Sequence, residues 1–284
     1  MHKRTIVLSC ALAAFILLSQ ICIGGQKLRY HYEKGKNYQY TTVVDSKTSG
    51  QAMGQEFTMT SGADLDYTVT LMDADAGTLT LMITFEKFNI KLNLPMMGFN
   101  DSTIVMKDYI GKRVKVIVTD KGKTVSVQPI DTIPPSREQM IASVTPSDLF
   151  KQVLLELPEN EMELNGSWKK VSPDTTARGG MKMVVKPNIE YKIAGAEKNS
   201  NHDCWKIAVS GTSTIEGSGS QRGADVTIDG TVKSNGSVFM APRDGIIVQS
   251  QLSNETEMTT TATGSQTGAS TMSISSTIKS TLRK

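Results

Sequence analysis

Apolar and polar residues alternate with period two over most of this chain, the signature of antiparallel strands with one covered face. Between Asp64 and Leu71, the residues Leu65, Tyr67, Val69 and Leu71 share one face, and Asp64, Asp66, Thr68 and Thr70 share the other. Leu79, Leu81, Ile83 and Phe85 repeat the pattern after Asp75-Ala76-Gly77, so the two runs predict a long hairpin. The phase slips by one residue near Lys87, where Phe88, Ile90, Leu92 and Leu94 take over; the slip predicts a bulge that bends the strand. Val114, Val116 and Val118 pair in the same way with Val125 and Val127 across Asp120-Lys121-Gly122.

The alternation stops at Ile133-Pro134-Pro135. Ser136 with Gln139 reads as a capping box, and Met140, Ile141, Val144, Leu149, Phe150, Val153, Leu154 and Leu157 supply an apolar helical face up to Pro158. Pro146 breaks this stretch into two pieces or starts the second one. The strand pattern then returns in Ile189, Tyr191 and Ile193, in Trp205, Ile207 and Val209, and in Val226, Ile228 and Val232. Asn235-Gly236 predicts a type I′ hairpin, because that turn needs positive φ at both central residues. Asp244-Gly245 predicts another turn, and Gly217-Ser218-Gly219-Ser220 reads as a flexible loop. The Ser/Thr-rich stretch from Ser253 to Leu282 has the composition of a disordered tail. Met258, Thr260 and Ala262 nevertheless stay in phase with Met272, Ile274, Ile278 and Leu282 around Gly264 to Gly268, which favours a terminal hairpin with a polar outer face.

The expected fold is therefore mainly β (α+β): two antiparallel half-barrel-like sheets, residues 26–133 and 159–284, joined by a helical connector over 134–158. Residues 1–25 read as a signal peptide. His2-Lys3-Arg4 precedes an apolar run from Ile6 to Leu18, and the small patch Cys22-Ile23-Gly24-Gly25 follows. The run is shorter than the roughly 20 residues that span a bilayer, and no second long apolar run follows. The expectation is an exported chain, periplasmic or extracellular, with no transmembrane anchor. Cys22 follows Gln20-Ile21, which disfavours a lipidated leader and leaves association with an outer membrane as the weaker alternative.

Composition narrows the function classes. The chain has 31 basic and 28 acidic residues, and loss of Lys3 and Arg4 with the leader brings the balance to about +1. The basic pairs Lys112-Arg113 and Lys169-Lys170 are isolated and lack interleaved aromatics, so nucleic acid is not an expected partner. Cys204 is the one thiol outside the leader; it reads as a buried cysteine beside Trp205 in preference to an intermolecular disulfide. His202 and Cys204 give two soft ligands where zinc needs three or four, so no metal or other cofactor is expected. Neither a G-x-S-x-G elbow nor an H-E-x-x-H helix occurs, and the pairs Asp64/Asp66 and Glu255/Glu257 fall on polar strand faces. An enzyme is not the expected reading. Fifteen methionines are the compositional oddity; Met59, Met181, Met183 and Met240 are among those that suit either core filling or an adaptable apolar surface. Met181 and Met183 lack a nearby His or Cys that would argue for copper. Met72 and Met82 fall out of phase with the aliphatic series.

Four stretches carry a resemblance. They are Lys34-Gly35-Lys36-Asn37-Tyr38, Tyr109-Ile110-Gly111-Lys112, Leu157-Pro158 through Asn165-Gly166-Ser167-Trp168, and Ala241-Pro242-Arg243-Asp244-Gly245 leading to Met258. Their order resembles an uncharacterised family of secreted bacterial β-rich proteins, a domain of unknown function, and the resemblance implies a fold without catalytic residues. A curved antiparallel sheet closed by a helix is also similar in architecture to the Lol-type lipoprotein carriers. The expected function is non-catalytic binding of an apolar ligand, an acyl chain or lipoprotein tail, between sheet and helix. Tyr67, Leu81, Ile83, Met140, Val144, Phe150 and Val153 are the expected cavity lining. The alternative is a structural or interaction module, with a packed interior and an envelope protein as partner.

Overall fold

The computed structural model describes residues 25–52, 54–95, 98–133, 154–178, 180–221, 223–264 and 267–283. Fifteen strands follow in chain order: β1 (Gln26–Lys27), β2 (Asn37–Ala52), β3 (Gln55–Asp75), β4 (Thr78–Leu94), β5 (Phe99–Val105), β6 (Arg113–Thr119), β7 (Thr124–Pro129), β8 (Glu161–Met162), β9 (Ser167–Lys170), β10 (Asp174–Arg178), β11 (Met181–Asn199), β12 (His202–Gln221), β13 (Ala224–Ala241), β14 (Ile246–Gly264) and β15 (Gly268–Leu282). β1 and β8 form a small ribbon, and the other strands form one antiparallel sheet of 13 strands. Its main path runs β10-β11-β12-β13-β14-β15-β2-β3-β4-β6-β7; β5 also pairs β4 and β9 also pairs β11. The sheet is not closed: β10 and β7 are its two ends.

Local patterning predicts several of these elements. β3 and β4 form the expected hairpin, and its turn residues Ala76 and Gly77 both have positive φ. The register jumps between Asp66 and Tyr67, so that Asp66 faces Lys87 while Tyr67 faces Phe85, which is the bulge expected near Lys87. A second irregularity between Leu71 and Asp73 turns Met72 out to solvent, which accounts for its being out of phase. β6 pairs β7, and the Ser/Thr-rich terminus forms the β14–β15 hairpin.

Other expectations are corrected. The two β-rich regions do not form separate half-barrels, because β15 pairs β2 from Thr271↔Gln51 to Leu282↔Tyr40 and fuses them. Asn235-Gly236 is no hairpin turn: β13 runs straight through it, Gly236 lies opposite Leu252, and the chain reverses at residues 242–245 instead. Gly217 to Ser220 is not a loop but part of β12, paired with β13. Of the expected helix, residues 134–153 lie outside the described residues, Met140, Val144, Phe150 and Val153 among them. Leu154 to Leu157, its expected last turn, are not helical; Tyr30, Lys121 and Trp168 take up their backbone groups instead. Lys107–Tyr109 forms a 3-10 turn.

The covered face can be followed row by row across the strands. One row reads Ile193, Ile207, Val238, Ser250, Ser280, Thr42, Leu65 and Phe88, all paired in register and all buried. The next reads Tyr191, Val209, Gly236, Leu252, Ile278, Val44, Ala63 and Ile90. Phe85 and Tyr109 pack against Phe88 at the end of the first row, with Phe88 and Tyr109 edge to face at 5.0 Å. All seven tyrosines are buried at this end of the sheet.

Residues 28–32 lie across the covered face as a strap. Tyr30 N donates to Asp120 O at the β6–β7 turn, and His31 N donates to Gly245 O at the β13–β14 turn. Both turns need glycine where the strap and connector cross. At Gly122, with φ +87°, a Cβ would fall 2.2 Å from Leu155 O; at Gly245, with φ +67°, it would fall 2.5 Å from His31 N.

Candidate functional site

The strap and the connector around Leu154 to Glu159 divide the covered face into two recesses. The connector is tied from four sides. Tyr30 Oη donates to Leu155 O and accepts from Leu155 N, and Trp168 Nε1 donates to Glu156 O at 2.8 Å. Leu157 N donates to Lys121 O, and the Arg29 guanidinium donates to Pro158 O and Glu159 O. Burial raises the Tyr30 pKa well above that of a free phenol, so the hydroxyl keeps the proton that it donates to Leu155 O.

The first recess is a void of about 30 Å³, lined by Tyr32, Tyr40, Tyr67, Leu81, Ile83 and Leu154 among others. Three residues of the expected cavity, Tyr67, Leu81 and Ile83, thus meet in one place, while Met140, Val144, Phe150 and Val153 lie outside the described residues. The space matches about one water molecule and holds no acyl chain. Its polar groups are already engaged: Tyr40 Oη donates to Ile247 O at 3.0 Å, the Tyr67 hydroxyl lies 3.3 Å from Thr42 Oγ1, and Thr42 donates in turn to Ser280.

The second recess is a groove of about 510 Å³ on the other side of Leu154, inside the range of roughly 300 to 1,000 Å³ that is usual for small-molecule sites. Tyr191, Val209, Leu252 and Ile278, neighbours in one cross-strand row, line it on the sheet side. The adjoining row is polar in its middle, reading Ile189, Gly211, Ser234, Asn254, Ser276, Ser46, Ser61 and Leu92 from β11 to β4. Ser234 and Asn254 of that row also line the groove and share a hydrogen bond of 2.8 Å. Gly122 to Val125 and Leu154 to Glu156 form one wall, and Lys170, Asp174 and Thr175 form the other. The Lys170 ammonium lies 3.0 Å from Glu156 and 2.9 Å from Asp174. Burial alone would lower its pKa, but the hydrogen bonds to both carboxylates outweigh that and raise it, so the lysine stays charged and paired. Trp168 stacks on Tyr191 at 5.2 Å, and burial raises the Tyr191 pKa, which leaves its hydroxyl protonated.

Tyr30, Leu154, Leu155, Trp168, Lys170 and Tyr191 shape these recesses and are not selected by sequence reasoning. Leu154 was legible only as part of an apolar helical face, and Lys170 only as half of a basic pair. Elsewhere, Cys204 is buried beside Trp205, and desolvation pushes its thiol up to about 11. His202 Nδ1 donates to Asp244 at 2.7 Å. Asp64 is paired with Lys91 and Asp66 accepts from Thr41, while Glu255 and Glu257 are exposed; Glu257 lines an open recess of about 1010 Å³ together with Glu56, Glu216 and Asp229.

Neither a family model nor a curated protein matches the chain. Among solved structures it is similar to lipovitellin, in a structure concerned with lipid–protein interactions, with 13% identity and a TM-score of 0.45 over 89% of this chain. The match takes in 26% of that protein, so this chain spans about a quarter of its length. An engineered protein studied for asymmetric conductivity is similar over 86% of this chain and 100% of its own, with 10% identity and a TM-score of 0.23. A DUF1329 family protein from Desulfovibrio piger is similar over 84% of this chain and 83% of its own, with 13% identity and a TM-score of 0.16.

Proposed function

We propose that this chain is an exported, non-catalytic binding protein that carries one amphiphile, such as a fatty acid or a lipoprotein's acyl tail, in the groove beside Leu154 and Leu155. The acyl chain lies along Tyr191, Val209, Leu252 and Ile278, and the polar head lies toward Ser234, Asn254 and the Lys170 pair. The supporting observation is the groove itself: about 510 Å³ of space whose sheet side carries the apolar Tyr191, Val209, Leu252 and Ile278 and, in the next row, the polar pair Ser234 and Asn254 beyond Ile189. Burying a chain there gains about 0.8 kcal/mol per CH₂, so about ten covered methylenes supply the roughly 8 kcal/mol of micromolar affinity. Lys170 with its two partners Glu156 and Asp174 carries one negative charge, which Lys123 across the groove balances, and this fits a zwitterionic or neutral head. The second reading, a protein-interaction module, draws on β7, whose outer edge pairs with no strand among the described residues, and on exposed Val125 within it and Ile130 just after it.

Native mass spectrometry of the protein purified from its source envelope, before and after organic extraction, separates the two readings. The expected result is an extra mass in the range of a fatty acid or phospholipid that extraction removes. A clean protein mass, together with no uptake of a fluorescent fatty acid, overturns the carrier reading in favour of the interaction module.

A further inference from the structure

The proposed groove and the small tyrosine-lined void share one residue. Leu154 is half-buried and lines both, and the connector that carries it is held by Tyr30, Trp168 and Lys121 immediately C-terminal to it. The side chain therefore stands as a partition between the apolar floor of the groove and the void. Behind it, Tyr67, Leu81 and Ile83 end the void. The Tyr40 and Tyr67 hydroxyls there are already bonded to Ile247 and Thr42, and the Tyr32 hydroxyl to that of Tyr40, so the hydroxyls at that end are engaged and its other lining is apolar. An occupant reaches the partition with its methyl end first and leaves its head at the polar row of the groove.

We infer that Leu154 is the length-determining residue of the site: it sets how many carbons of an acyl chain the groove accepts, by closing off the void behind it. This rests on the reading of the groove as an acyl site. Replacing Leu154 by Ala deletes three side-chain carbons and joins the groove to the void of about 30 Å³, which makes room for about three or four further carbons of ligand. Each methylene that gains cover adds about fourfold in affinity.

The test is competition by a ladder of saturated fatty acids of increasing length against a bound fluorescent fatty acid, run on the wild type, Leu154→Ala and Leu154→Phe. The expected result is a preferred length that moves up by about three or four carbons in Leu154→Ala and down in Leu154→Phe, where a larger side chain fills the same position. The Phe variant opens no cavity, so it reports on the partition even where the Ala variant unfolds. If the wild type takes up no fatty acid, the acyl-site reading fails and this inference with it. If the wild type binds the ladder and both folded variants keep its preferred length, the acyl-site reading stands and the role of Leu154 is overturned.

Discussion

The same alternation of apolar and polar residues produces two different surfaces at the two ends of the long strands. At one end, the row through Ile193, Ile207, Val238, Leu65 and Phe88 is sealed beneath the strap and connector. Farther along the same strands, the row Val185, Ile215, Gly230, Met258, Met272, Gly50 and Phe57 has the same register and the same facing, yet all but Ile215 remain half-exposed. The polar row through Ser234, Asn254, Ser276, Ser46 and Ser61 runs between them. Alternation therefore says which residues share a face, and segments distant in sequence decide whether that face becomes a core. In the open row, large residues lie beside glycines: a Cβ on Gly50 would meet the Phe57 ring at 3.0 Å, and one on Gly230 would meet Met258 Cβ at 3.3 Å. Side chains that recline over glycine cover the sheet's own backbone without a second layer.

The largest contrast is energetic. Phe88→Ala removes a fully buried ring that packs on Phe85 and Tyr109, and is expected to cost about 3 to 5 kcal/mol in denaturant unfolding. Met258→Ala in the open row should cost less than about 1 kcal/mol, because its surroundings are already wet. Equal losses at the two positions would mean that the open row is covered in solution, and would break the comparison.

The connector gives a smaller, local effect. Tyr30→Phe removes the hydroxyl that donates to Leu155 O and accepts from Leu155 N. Leaving buried groups unpaired there should cost about 1 to 3 kcal/mol. Hydrogen exchange locates the loss: the Leu155 amide should exchange far faster in the variant, while the amides of Leu65 and Val238 keep their protection. An unchanged Leu155 amide would show that Trp168 and Lys121 hold the connector by themselves.

These contrasts follow what the sequence exposes and what it hides. The β3–β4 hairpin with its slip at Lys87, the β6–β7 hairpin and the terminal hairpin are legible because turn residues and alternation act within a few positions of each other. The β15–β2 pairing is not, since Ile278 and Val44 carry no local mark of their partnership. Asn235-Gly236 misleads for a related reason. Its preference for a turn loses to an unbroken register with β12 and β14, in which Gly236 makes room for Leu252. In the site, Tyr67, Leu81 and Ile83 are legible as neighbours because one hairpin carries them. The size of the space that they surround is set by Tyr32, Ile247 and Leu154, from three other parts of the chain. Tyr30 and Leu155 form a clamp across 125 positions, which no periodicity encodes.

The smallest effect belongs to the unpaired edge, and it differs from the core in depending on pH. Arg113, at the start of β6, donates from Nε and Nη2 to Asp131 just after β7, and the Arg113 backbone N–H donates to the same carboxylate. The side-chain hydrogen bond from Arg113 is the main cause that lowers the Asp131 pKa from 3.8 to about 2. The folded state thus binds this proton less readily than the unfolded chain does. The stabilisation is fully present above pH 3.8 and is lost as pH falls through about 2. Asp131→Asn should lower stability slightly above that window, and the wild-type and variant curves should converge as pH drops through it. Solvent screening keeps the gap small. Phe88→Ala, by contrast, should leave a gap that is the same at both ends of the window, because no titrating group enters its loss. If the Asp131 curves stay parallel through the window, the β6–β7 edge is held by its backbone ladder and not by this ion pair.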